Sequence, residues 1–198
     1  PRPAIIEKKE FGRLLRDIWA YEGYPSVQWY LRILPFVATR PGELRLAKWG
    51  EIDFSENVWR LPEGRMKMRK AWAVPLAPQV VKMLRALEQF SGGDADAPLF
   101  PSVRSRSAVI VDAAGGAALR AMGWQQETVC LHGLRSTFST IANESGQWRP
   151  DVIEGCLSHT DRDSVRRVYN RATFWEERRA LMEWWADYLD ALKAAGPE

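Results

Sequence analysis

Residues 50–78 read GEIDFSENVWRLPEGRMKMRKAWAVPLAP, and the texture of the chain changes across them. Ile52-Asp53-Phe54, Val58 to Leu61 and Trp72 to Leu76 are short runs in which apolar or aromatic residues alternate with polar ones. Alternation of that period places one face of an extended strand inward. Glu63-Gly64 and a run of basic residues separate the last two. The stretch therefore predicts three antiparallel strands joined by one long charged hairpin, closed by Pro75 and Pro78.

Outside this stretch the period is helical. From Glu7 to Tyr21, Phe11, Leu14, Leu15, Ile18 and Trp19 fall on one stripe. Gly23 and Pro25 break that helix, and Ser26 is positioned to cap a second one reaching Val37. The second helix is apolar nearly all round (Val27, Tyr30, Leu31, Ile33, Leu34, Phe36, Val37), which predicts a central place. Pro41-Gly42-Glu43 reads as the first turn of a short third helix, where proline loses no hydrogen bond. Helical spacing returns from Pro78 to Phe90 and stops at Ser91-Gly92-Gly93. After a Ser- and Arg-rich loop, helices are expected over Ala108–Met122, Leu131–Glu144, Pro150–Leu157, Asp163–Phe174 and Glu176–Lys193. The predicted fold class is α+β: one mostly helical domain over residues 1–198 with a small three-stranded antiparallel sheet set in early.

An apolar fraction of 46% and a charged fraction of 27% are ordinary for a folded domain. No apolar run reaches the roughly 18 residues of a membrane helix. The charged helix after Pro1-Arg2-Pro3 is unlike a secretory signal, and a start at proline suggests a piece of a longer protein. Cys130 and Cys156 form no C-x-x-C pair and have apolar neighbours, so both are read as free thiols of a cytoplasmic protein. Their spacing to the two histidines matches no structural zinc site, and Gly115-Gly116 lacks the Lys-Ser or Lys-Thr of a phosphate loop. No metal and no cofactor are expected.

Charge is distributed unevenly. Segment Arg60–Trp72 holds five basic residues (Arg60, Arg65, Lys67, Arg69, Lys70) against Glu63, whereas the tail from Glu183 carries four acids against Lys193. One basic surface with an acidic tail suits contact with a polyanion on one side only. His132 and His159 are the two histidines of the chain. His132 and Arg135 stand at i and i+3, on one helix face. His159 follows Ser158 and precedes Tyr169 by ten positions.

Five elements occur in a telling order: Thr39-Arg40-Pro41-Gly42-Glu43-Leu44, then Met66-Lys67-Met68-Arg69-Lys70 leading to Val74-Pro75-Leu76, then His132-Gly133-Leu134-Arg135, Leu157-Ser158-His159 and Val168-Tyr169-Asn170-Arg171. With 92 residues from Arg40 to His132 and 37 from His132 to Tyr169, the chain resembles the catalytic domain of tyrosine recombinases. It looks most like the P4-like integrases of prophages and genomic islands, and the ending Glu177-Arg178-Arg179 to Trp185-Ala186-Asp187-Tyr188-Leu189 resembles that branch too.

The resemblance implies that Arg40, Lys67, His132, Arg135, His159 and Tyr169 form a catalytic set, with Tyr169 the nucleophile and Glu43 orienting Arg40. Lys70 lies three residues beyond Lys67, and the distance to Val74-Pro75-Leu76 favours Lys67. Arg65, Arg69, Lys70 and Trp72 are candidate DNA contacts. The implied partner is double-stranded DNA in a bacterial cytoplasm, with a tetramer on DNA for the full enzyme, a monomer for this piece, and accessory DNA-bending or directionality proteins. Core-binding and arm-binding domains are expected upstream of the chain. The same chemistry also serves chromosome-dimer resolution and type IB topoisomerase-like relaxation, and a non-catalytic DNA-binding module is the remaining alternative.

Overall fold

A computed structural model describes residues 3–63, 72–157 and 174–196. The mostly helical α+β architecture is present, with the elements of the first half close to their expected bounds. α1 spans Lys8–Ala20, and the Glu7 carboxylate accepts from the free N–H groups of Lys9 and Glu10 at 3.0 and 2.7 Å. Its buried stripe is Phe11, Leu14, Leu15 and Ile18. α2, Pro25–Val37, is central: nine of its thirteen residues are buried. Ser26 does not cap it. Proline at the first helical position already fixes the backbone there, and the Ser26 hydroxyl, fully buried, donates instead to the carbonyl of Pro101 at 2.7 Å.

α2 ends at Ala38, whose φ of +52° lies in the left-handed region. A non-glycine residue pays about 1–2 kcal/mol for that conformation. The turn it makes delivers Thr39 and the extended Arg40 to α3, Pro41–Arg45. A short 3-10 turn, Trp49–Glu51, then leads into the sheet. β1 (Ile52–Asp53), β2 (Val58–Leu61) and β3 (Trp72–Pro75) pair in that order, all antiparallel, with Trp59 opposite both Ile52 and Val74. Along β2, Arg60 faces out while Val58, Trp59 and Leu61 are buried. α4 follows over Pro78–Ser91.

The region after Phe100 departs from expectation. In place of a helix from Ala108, β4 (Pro101–Ser102) and β5 (Ser105–Val109) form a second, two-stranded sheet, and α5 occupies only Ala114–Ala121. The first four residues of β5 are exposed, so they carry no apolar alternation for a sequence to display.

α6 (Leu131–Glu144) and α7 (Pro150–Cys156) follow the expected bounds. The helix expected over Asp163–Phe174 lies outside the described residues except for Phe174, which precedes the last helix, α8 (Trp175–Ala194). α8 packs on its own chain. Trp185 is fully buried against Phe11 and Phe138 and donates to the Pro35 carbonyl at 2.8 Å. Arg16 of α1 donates to the carbonyls of Leu192 and Ala195, satisfying C-terminal acceptors of α8. At Gly12 a Cβ would lie 2.7 Å from the Leu192 oxygen, so the close approach of α1 and α8 needs glycine there. Cys130 and Cys156 are free, and among the described residues no helix is long and apolar enough to cross a membrane.

Candidate active site

Three residues singled out in the sequence meet in one place. Arg40, His132 and Arg135 line an open cleft of about 380 Å³, together with Ser136, Ser139, Thr140 and Leu157. The cleft lies between the α2–α3 turn, the first three turns of α6 and the end of α7. Lys67, His159 and Tyr169, with Arg65, Arg69 and Lys70, lie outside the described residues.

Arg40 immediately precedes α3. Its backbone N–H donates to Glu43 Oε2 at 2.9 Å, and its Nη1 donates to Glu43 Oε1 at 2.7 Å. Glu43 is 8% exposed, whereas the Arg40 side chain retains 28% exposure. The carboxylate thus grips Arg40 while the arginine side chain stays partly exposed. Behind it, the Tyr30 hydroxyl donates to the Pro41 carbonyl at 3.1 Å, and its burial raises the phenol pKa strongly.

Arg135 is held differently. It is 8% exposed, and its Nη1 donates to the Ala38 carbonyl at 2.9 Å while its Nη2 donates to the Leu157 carbonyl. The strained turn at Ala38 therefore aims a backbone oxygen at this side chain. Burial and the neighbouring charge of Arg40 draw the Arg135 pKa down to about 10, against the opposing pull of Glu43 and Glu154. The guanidinium remains a cation at neutral pH, with Arg40 close enough to act on it.

His132 is the second residue of α6, half-buried, on the wall shared with a neighbouring cavity of about 550 Å³ that reaches Pro3, Arg120 and Trp124. Unpaired N–H groups make a helix N-terminus positive, which adds to the field of the two arginines. Gly133 has a local steric reason: a Cβ there would run into the Pro3 carbonyl oxygen.

Trp72, a candidate DNA contact, sits in β3 half-buried against the core. The Arg178 guanidinium lies 4.5 Å from its ring centre, and its indole nitrogen is buried without a partner among the described residues. Sequence reasoning passed over several groups of the cleft. Ser136 and Ser139 could have been found, since they fall four and seven residues after His132 on the same helical face. The Ala38 and Leu157 carbonyls could not, because a backbone oxygen leaves no mark in residue identity. Among the described residues, no three His, Cys, Asp or Glu side chains group as a metal site would require.

The double grip of Glu43 on Arg40 supports a specific expectation. Glu43→Gln keeps the shape but turns one of the two accepting oxygens into an NH2 donor, so one of the two contacts, which reach different oxygens, is lost. A small displacement of a positioning group costs up to about 10²-fold in rate. We therefore expect the rate of the reaction this cleft supports to fall tenfold to hundredfold, by roughly that estimate, with ligand affinity little changed. A single-turnover rate equal to the parent's would show that Arg40 is oriented by other means.

Comparison with known proteins agrees with this architecture. The profile of the phage integrase family matches residues 7–176. The integrase of Enterobacteria phage P4 is 37% identical over 202 aligned residues, covering 95% of this chain and 45% of that protein. Prophage integrase IntA of Escherichia coli (strain K12) is 42% identical over 153 residues, covering 77% of the chain and 36% of that protein. Among solved structures, the integrase from mycobacterium phage Brujita superposes with a TM-score of 0.66 at 17% identity, over 98% of this chain and 64% of that one. The fold is that of a tyrosine-recombinase catalytic domain. The chain belongs to the phage integrase family and is related to P4-like prophage integrases. It spans about half the length, or less, of the curated relatives it matches.

Proposed function

We propose that the protein recombines DNA site-specifically, integrating or excising a mobile element, and that its cleft holds one phosphodiester of the DNA backbone. The observation that carries this is the convergence of Arg40 and Arg135 on one cleft, each guanidinium already fixed by carboxylate or carbonyl oxygens. Planar forks held in advance match the two non-bridging oxygens of a phosphate. They stabilise the charge those oxygens gain in the transition state without further reorganisation.

In the proposed step the Tyr169 oxygen attacks phosphorus and the bond to the 5′-oxygen breaks. A phenol with an ordinary pKa near 10 is mostly neutral at pH 7 and needs a proton acceptor. His132, on the cleft wall, takes that proton. Lys67 gives a proton to the departing 5′-oxygen, and His159 donates to a phosphate oxygen. The 3′-phosphotyrosyl product retains a reactive phosphoester, so the 5′-hydroxyl of another duplex reverses the step without a nucleotide cofactor. Arg65, Arg69, Lys70 and Trp72 contact the DNA. The working assembly is a tetramer on DNA in the bacterial cytoplasm, assisted by DNA-bending or directionality proteins, with core- and arm-binding domains supplying site choice.

The division of labour is testable at the leaving group. Lys67→Ala is expected to stop cleavage of an ordinary strand but spare one whose 5′-oxygen is replaced by sulfur, since a thiolate leaves without a proton. Covalent protein–DNA adduct is counted on gels with both substrates. Equal loss on the two would remove Lys67 from the role of acid, and absence of any adduct with the unaltered protein would favour a DNA-binding module over an enzyme.

A further inference from the structure

A second buried arginine stands behind the cleft. Arg178, in the first turns of α8, is 3% exposed. Its Nη2 donates to the Ala73 carbonyl of β3, and its guanidinium lies 4.5 Å from the ring centre of Trp72 and 5.4 Å from that of Trp175. On its other side it meets the end of α7. A Cβ at Gly155 would lie 3.2 Å from Arg178 Cδ, and the Arg178 charge acts on the neighbouring Cys156 thiol, pulling its pKa down against the larger effect of burial. Among the described residues no carboxylate pairs with it, and its Nε is buried without a partner. Burying a cation without an anion is costly, and a hydrophobic residue would fill the same space at no such cost.

We propose that Arg178 is a positioning residue that clamps the C-terminal end of α7 to β3, so that the Leu157 carbonyl stays where it anchors Arg135. The geometry forms a short relay: Arg178 fixes Gly155 and Cys156, the next residue is Leu157, and its oxygen accepts from Arg135 Nη2. A planar guanidinium donates to the Ala73 carbonyl while its face lies over Trp72, a fixed geometry that an ammonium on a flexible stem does not reproduce. This role rests on the assignment of Arg135 to the phosphate, and both can be tested together.

Single-turnover covalent attachment to a nicked suicide duplex would be measured at saturating DNA for Arg178→Met, Arg178→Lys, Arg135→Ala and the double variant Arg135→Ala/Arg178→Met. The lysine variant keeps the charge and most of the stem, and cooperative melting identifies folded preparations. Both Arg178 variants are expected to lose roughly tenfold to hundredfold in rate, with duplex Kd within about threefold, as rigid-site misplacement rather than lost binding predicts. If Arg178 acts through Arg135, adding Arg178→Met to Arg135→Ala costs no more than about a further threefold, because groups acting as one unit are not additive. A merely structural role would multiply the two losses. Parent-like rates in a folded Arg178 variant, or fully multiplicative losses, would overturn the clamp alone. A parent-like rate in Arg135→Ala would instead overturn the assignment of Arg135, and the relay with it.

Discussion

Arg135→Lys is expected to slow covalent attachment to DNA by roughly 10²–10³, nearly as much as Arg135→Ala. The reason is a count of donors. A guanidinium has five N–H groups and an ammonium three. Among the described residues, one N–H of Arg135 goes to the Ala38 carbonyl and one to the Leu157 carbonyl, which leaves three others for a phosphate. Lysine serving the same two carbonyls would keep a single donor, on a stem with no fixed direction. Loss of one preorganised donor at a site of developing charge costs about 2.7–4 kcal/mol. The rate of adduct formation on a suicide duplex reads this directly, and a lysine variant within tenfold of the parent would sink the argument.

Tyr169→Phe is expected to abolish the adduct altogether while duplex affinity stays within about threefold, since a phosphate contact network of arginine and lysine dominates binding. The other four tyrosines give this expectation its force. Tyr30 is buried with its hydroxyl committed to Pro41. Tyr188 stacks on Trp184 and Trp185 in α8, and burial raises its pKa. Neither these nor Tyr21 and Tyr24 line the cleft. A covalent product from the phenylalanine variant, mapped by peptide sequencing of the DNA-linked fragment, would move the nucleophile to another side chain.

Much of this organisation is legible in residue order, and the limits of legibility have physical causes. The sheet of β1, β2 and β3 is readable because Val58, Trp59 and Leu61 must be buried while Arg60 is not. α6 is readable from its bounds, and with it the pairing of His132 and Arg135 on one face. The β4–β5 hairpin is hidden because its strands contribute almost nothing to the core, and exposure erases the pattern that reveals a strand. Ser26 misleads because serine before a helix usually caps it, whereas here Pro25 begins the helix and a tertiary acceptor claims the hydroxyl. Glu43 was readable as the partner of Arg40 through the family resemblance. Arg178 was not: it lies in α8, and its link to Arg135 runs through tertiary contacts and a backbone oxygen.

The different holds on the two arginines have a thermodynamic consequence. Glu43 balances the charge of Arg40, but the carbonyls that hold Arg135 are dipoles and cancel none of its charge. Burial first, and then repulsion from the Arg40 charge, depresses the pKa of Arg135. An anion that enters relieves this repulsion as it binds, so occupancy and folding stability are linked by mass action. Under the proposed function, the protein is expected to melt at a higher temperature with duplex DNA bound, the phosphate completing the electrostatics of its own binding site.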